Sequence, residues 1–287
     1  MAVVRLRGAP RKRGPLKYVH ASVRYPPTER FRTGHRFVFF KIRSTRRWFS
    51  VHEDLICQHS GYFKAKLQKG RNTVEGECRI CHEELETNTD DIVFCRARCG
   101  QNIHQHCLDA WKSSQDGALT CPICHHQWQV AVQKNVLLDG GLDQTAVQMY
   151  QDWLYTGEIR IDEDTLTPDC EQSTVMLKAW TVATTLQDQN FQHAVVAEML
   201  AKPFNPSSSY AEYAFYESDD EEMRDFIIDW FVTFIEPAFF EEQAQEFPPP
   251  FVLGLGEALL RERLEGRVTR EGMLEEYTDG KYEFVNE

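Results

Sequence analysis

Cys78-Arg79-Ile80-Cys81, Cys95-x3-Cys99, His104-x2-Cys107 and Cys121-Pro122-Ile123-Cys124 decide how this chain must fold, because they set eight thiol or imidazole side chains in four close pairs. A tetrahedral zinc takes four such donors, so eight fit two ions with every position filled by protein. A short pair puts both its side chains on one ion, so two pairs from different parts of the chain must meet at each centre. Sites closed in this way leave no position for water and are structural rather than catalytic. The segment 78–124 is close to the size, about 40 residues, below which a hydrophobic core alone seldom suffices, and structural zinc contributes about 10–16 kcal/mol in finger peptides. Metal is therefore expected to be a condition of its folding.

Working outward, seven of the nine cysteines belong to this cluster, while Cys57 and Cys170 stand alone among apolar residues and read as small buried hydrophobes. The N-terminus shows no export signal, so a reducing, intracellular setting in cytoplasm or nucleus is expected, and with it metal ligation rather than disulfides. No stretch approaches the roughly 18 consecutive apolar residues of a membrane span, and no membrane partner is expected. With 287 residues, 42% apolar and 12% aromatic, the chain is not globally disordered.

The net charge of −12 averages two opposed regions: residues 1–47 carry +13 and the remainder −25. Residues 1–33 mix Arg, Lys, Pro and Gly without hydrophobic periodicity and read as a basic flexible arm, whose Arg11-Lys12-Arg13 suits nuclear import or a nucleic-acid contact. On the balance of the whole chain, nucleic acid is not an expected partner.

Phe37–Ile42 and Arg47–His52 are aromatic and β-branched runs around a polar Ser44-Thr45-Arg46 turn, which predicts a hairpin. Glu53–Leu67 reads as helix interrupted near Ser60-Gly61. Beyond the cysteines, Gln127–Leu138 reads as a strand, and Thr145–Tyr155 as an amphipathic helix stopped by Gly157. Val175–Leu186 and Phe191–Leu200 repeat the helical pattern, the second closed by Pro203 and Pro206. Tyr210–Glu222 reads as a polar, acidic lead-in that caps a helix through Phe226 and Phe234, ended by Pro237. Pro248-Pro249-Pro250 reads as a break before a last helix, Leu255–Leu264.

The cysteine pattern resembles the RING finger of ubiquitin ligases. That resemblance implies a cross-brace, with Cys78, Cys81, His104 and Cys107 on one zinc and Cys95, Cys99, Cys121 and Cys124 on the other. The PHD finger, a reader of histone tails, has the same ligand count, but it usually carries an aromatic two residues before the seventh ligand, where this chain has Leu119. The usual RING spacing would place a ligand at Gln101; the Cys95/Cys99 pair matches a variant subset. His106 is a spare ligand candidate, and His82, His125 and His126 are expected at the surface. A RING has no nucleophile of its own: the resemblance implies a shallow groove for a ubiquitin-conjugating enzyme at Ile80, Trp111 and Pro122. His125 stands where active RINGs often carry a basic residue.

The flanks resemble a BTB (POZ) domain of fungal type: Phe49–Cys57 with Ser60–Ala65 its first half, and Val147–Ile159, with Tyr155-Thr156-Gly157, its second. The fold class expected is α+β, a BTB-like domain with an inserted two-zinc cross-brace RING and a helical C-terminal extension. The expected organisation is a basic arm at 1–33, BTB-like halves at 34–70 and 128–202, the RING at 78–126 and a helical extension with charged tail at 210–287. This implies a RING-type ubiquitin ligase or ligase subunit whose BTB joins a second copy or a cullin. Two rival readings are a non-enzymatic zinc-binding BTB scaffold with a degenerate RING and a PHD-like chromatin reader.

Overall fold

The computed structural model describes residues 36–87, 89–130, 135–160, 172–201, 207–234, 240–242 and 244–265. The basic arm at 1–33, Cys170, Pro203, Pro206, Pro237 and the charged tail beyond 265 lie outside the described residues. The fold is mixed helix and sheet. Strands β1 (Phe37–Ile42) and β2 (Phe49–His52) pair antiparallel, with Phe37 opposite His52 and Phe40 opposite Phe49. Strand β1 buries Val38, Phe40 and Ile42 while Phe37, Phe39 and Lys41 face outward, the period-two alternation of a half-covered sheet. Helices α1 (Glu53–His59) and α2 (Gly61–Leu67) break at Ser60, whose hydroxyl accepts from the Phe63 amide and donates to the Leu186 carbonyl.

The cysteine segment follows. It contains β3 (Ile92–Phe94) and β4 (Asn102–His104), paired antiparallel, and helix α3 (Gln105–Ser113). The chain then returns to the first sheet: β5 (Asn135–Leu138) pairs parallel with β1, Phe39 opposite Asn135 and Ile42 opposite Leu138, giving the order β2-β1-β5. Of the strand expected over Gln127–Leu138, residues 131–134 lie outside the described residues, and Trp128 packs on the core of the cysteine segment.

Helix α4 (Gln144–Thr156) opens on an Asp143 cap and closes at Gly157, whose φ of 69° is the left-handed conformation glycine tolerates. Then come α5 (Gln172–Leu186), α6 (Gln189–Ala201), α7 (Ser208–Glu212) continued by a π-helical turn at Tyr213–Glu217, α8 (Glu221–Phe234) and α9 (Pro249–Glu265). Two sequence expectations change here. Residues 208–217 are helical rather than a polar lead-in, because Tyr210, Ala211, Tyr213 and Ala214 are buried; Asp220 supplies the cap, accepting from the Met223 amide. The last helix starts at Pro249, since proline in a first turn lacks only an amide that would have no helical partner there.

One apolar core joins the inner face of β2-β1-β5 to α1, α2 and the helices from α4 onward, with Phe40, Phe63, Tyr150, Phe191 and Phe231 fully enclosed. A second, smaller core is confined to the cysteine segment and gathers Cys78, Leu85, Ile92, Ile103, Cys107 and Leu108. Polar contacts join the two. Arg96 donates to Glu53 Oε1 at 2.8 Å and to the Leu67 carbonyl. Arg71 donates to Asn102 Oδ1 at 2.8 Å and lies 3.4 Å from Asp54. Both guanidiniums lie over the Phe94 ring, 5.1 and 4.3 Å from its centroid. Among the described residues no helix is long and apolar enough to cross a membrane.

Candidate metal centres

Each close pair is presented by a turn that the local backbone specifies. The Cys78 amide donates to the Glu83 carbonyl and the His82 amide to the Cys78 carbonyl, at 2.7 and 2.8 Å; the Cys121 amide donates to His126 and the His125 amide to Cys121, at 2.8 and 3.0 Å. The same turn is thus made twice. It places His82 and His125 at φ 61° and 57°, a region non-glycine residues seldom adopt. The Cys95/Cys99 pair, one residue longer, is closed by the Gly100 amide on the Cys95 carbonyl and by Gly100 itself at φ 67°. A β-carbon there would stand 2.0 Å from the Gly70 carbonyl oxygen, so only glycine fits. The fourth pair straddles a helix start: His104 ends β4 and Cys107 lies in the first turn of α3.

The structure gathers the donors into two groups of four, Cys78, Cys81, His104 and Cys107, and Cys95, Cys99, Cys121 and Cys124, each with ligand atoms within 4.8 Å of one another. The first pair meets the third and the second meets the fourth. A metal–sulfur bond of about 2.3 Å gives a tetrahedral edge of about 3.8 Å, and the Sγ atoms of Cys95 and Cys124 lie 3.8 Å apart, those of Cys99 and Cys121 3.7 Å. Those separations rule out disulfides, and these thiols are free. In the first group His104 Nδ1 is 3.3 Å from Cys81 Sγ and 3.9 Å from Cys107 Sγ. Both groups could hold a metal ion, and their soft, closed donor sets suit zinc.

The imidazole of His104 is oriented from behind: Nε2 lies 3.2 Å from the Glu84 carbonyl and 3.2 Å from Asp90 Oδ2. A proton on Nε2 leaves Nδ1 as the donor toward the thiols, the arrangement in which a carboxylate fixes a ligating histidine. Burial raises the thiol of Cys78, but amide hydrogen bonds at Cys81, His104 and Ile80 outweigh it and bring the thiol down to about 7. Cys95 reaches about 6 in the same way, through amides of Arg98, Cys99 and Ala97. Burial and neighbouring sulfurs push Cys99 and Cys107 up to about 12. Four sulfurs or three with an imidazole, held this close, call for a cation between them.

Gln101 stands outside both groups and uses its carbonyl to accept from Cys95. His106 is exposed, its ring stacked 5.0 Å from that of His104, and His82, His125 and His126 are exposed as expected. Ile80 and Trp111 are half-buried against the smaller core. Trp111 donates its indole N–H to the Thr120 carbonyl at 2.9 Å, and Pro122 is half-buried in the loop between Cys121 and Cys124. Sequence reading missed Asp90, Arg71 and Arg96. For Asp90 a signal existed in the hairpin, since pairing Ile92 with His104 brings the residues just before β3 beside the imidazole.

No family model matches the chain. Two curated mouse (Mus musculus) proteins are similar to part of it. E3 ubiquitin-protein ligase Zswim2 is 31% identical over 93 residues, which cover 31% of this chain and 13% of that protein. E3 ubiquitin-protein ligase DTX4 is 37% identical over 73 residues, covering 21% of this chain and 12% of that protein. The matched stretches span about an eighth of the length of these relatives. The chain thus combines partial, distant similarity to E3 ubiquitin ligases with two clusters able to hold metal.

Proposed function

We propose that this chain is a RING-type E3 ubiquitin-protein ligase or ligase subunit carrying two structural zinc ions. The observation that carries the reading is the interleaving of the four donor pairs, first with third and second with fourth, because this links both ends of the segment into one rigid body rather than two independent fingers. Partial similarity to two ubiquitin ligases supports it. Zinc supplies rigidity here; the chemistry belongs to the bound conjugating enzyme. Ile80, Trp111 and Pro122 form the contact for that enzyme, with the half-exposed indole as anchor, since large aromatics dominate interface energy. The amine of a substrate lysine then attacks the enzyme's ubiquitin thioester, an isopeptide bond forms, and the thiolate leaves.

The surrounding sheet and helices are a BTB-type domain into which the RING is inserted between α2 and β5. A hairpin, a helix pair, a parallel strand and a helix ending at Gly157 support this reading. In it the domain recruits a cullin or a second copy, inside the cell. A non-enzymatic scaffold is the second reading, favoured by His125, which puts an exposed imidazole where a basic contact to ubiquitin belongs. The test is discharge of ubiquitin from a panel of charged conjugating enzymes by the zinc-loaded full chain. Accelerated discharge by at least one enzyme is expected. No acceleration across the panel, with two zinc ions per chain verified, leaves the scaffold.

A further inference from the structure

The outer face of the sheet β2-β1-β5 is aromatic and basic, and the ligase reading gives it no role. Phe37, Phe39 and Lys41 of β1 lie on this face, with His52 and Ser50 opposite Phe37 and Phe39 on one side and Leu137 opposite Lys41 on the other. Phe37 and Trp48 are each 45% exposed. Both are held by neighbours: the Phe37 ring lies 4.2 Å from that of His52, and Lys41 Nζ lies 5.3 Å from the Trp48 centroid. The rings are therefore fixed before any ligand arrives. Arg43, Arg46 and Arg47 are exposed in the adjoining turn, and Arg43 and Arg46 make no ion pair among the described residues.

We propose that this face binds single-stranded nucleic acid, with Phe37, Phe39 and Trp48 stacking on unpaired bases and Lys41, Arg43 and Arg46 contacting phosphates. Exposed aromatics on a sheet give bases a sequence-tolerant platform, and adjacent cations track the backbone. Charge selects the occupant. Residues 36–47, which form β1 and the adjoining turn, carry five bases and no acid in a chain of net charge −12, so two copies of the face repel and a polyanion is attracted. The charge excess is legible in the sequence; that Phe37, Phe39 and Lys41 share one face of the sheet is given by the strand pairing. Exposed guanidiniums match phosphate by paired N–H donors, whereas an acidic peptide would leave the open rings without a stacking partner.

The experiment titrates fluorescein-labelled twelve-nucleotide poly(U) RNA and poly(dT) DNA with the zinc-loaded full chain by anisotropy, at 50 to 300 mM salt. Binding of either strand that weakens with salt is expected, the better binder defining the nucleic acid read. Trp48→Ala and Phe37→Ala should each weaken it about 5- to 100-fold while Trp48→Tyr restores it. Arg43→Gln with Arg46→Gln should flatten the salt slope by about 1.4, or 0.7 per phosphate contact. Zinc content and circular dichroism identical to the parent chain keep the variants interpretable, since these side chains are exposed. Absence of binding at 50 mM salt, binding that the aromatic variants leave unchanged, or tighter capture of poly-glutamate or of a second copy would overturn the proposal.

Discussion

Arg96 touches Glu53: the guanidinium of the residue after Cys95 lies 2.8 Å from the carboxylate that opens α1. Both side chains are largely buried, and Glu53 also has Arg36 at 3.7 Å. The cysteine segment is thereby seated on the helix pair rather than tethered beside it. Removing one partner of a buried pair costs about 3–5 kcal/mol when the other is left uncompensated; because Arg36 stays beside Glu53, Arg96→Ala should cost less, about 2–3 kcal/mol. Arg96→Met with Glu53→Met should cost less than the sum of the single changes, as a double-mutant cycle in urea would measure.

Metal removal should act on one core and spare the other. Because the two apolar clusters are separate, a zinc chelator is expected to open residues within 72–128 to protease while the sheet and long helices keep their protection. Cys121→Ser should lower zinc content and produce the same cleavage pattern; two retained ions per chain would contradict the ligand set.

Trp111→Ala is expected to keep both ions and the folded state, because the ring is only half-buried, yet to abolish ubiquitin transfer in an autoubiquitination assay. Unchanged transfer would reject Trp111 as the anchor.

Gly100→Ala places a β-carbon against the Gly70 carbonyl and forces a left-handed φ on alanine. A loss of at least about 2 kcal/mol is expected, together with weaker retention of the second ion. Thermal unfolding with zinc release followed in parallel measures both.

Asp188 and His59 set opposing pH dependences. Burial raises the Asp188 carboxyl, against hydrogen bonds from the Phe191 amide and Tyr150 and the pull of His59. Burial lowers His59, against the attraction of Asp188. A raised carboxyl holds its proton longer in the folded state, so its contribution falls as pH rises above the ordinary value of 3.8. A lowered imidazole resists protonation when folded, so its contribution is full above 6.5 and declines as pH falls below it. Asp188→Asn should therefore make stability climb more steeply between pH 4 and 6.5 than in the parent chain. His59→Gln should flatten that climb, both read from melting temperature against pH.

Much of this was written in the spacing of a few residue types. The hairpin, the interruption at Ser60, the stop at Gly157 and the close Cys pairs depend on local chemistry, and local chemistry is what a sequence displays. What it hid depends on neighbours distant in the chain. The helix at 208–217 is masked in the sequence by its serines and by the acids that follow it, yet it buries Tyr210 and Tyr213 against partners the sequence does not name. Proline at 249 and 250 looks like a break and serves as a helix start. Asp90 and Arg96 look like surface charges until folding brings His104 and Glu53 beside them.

Strand β5 can reach β1 only after the whole cysteine segment has been made. The two ends of that segment, Asn72–Val74 and Trp128–Val130, line the same cleft, so once it has folded its entry and exit stand together. Loop closure is costlier for a long floppy connection than for one already collapsed. Zinc should thus speed the assembly of a sheet it never touches. Refolding without the metal would keep β1 and β2 waiting longer as an unpaired ribbon, its open edge available to other chains until β5 arrives.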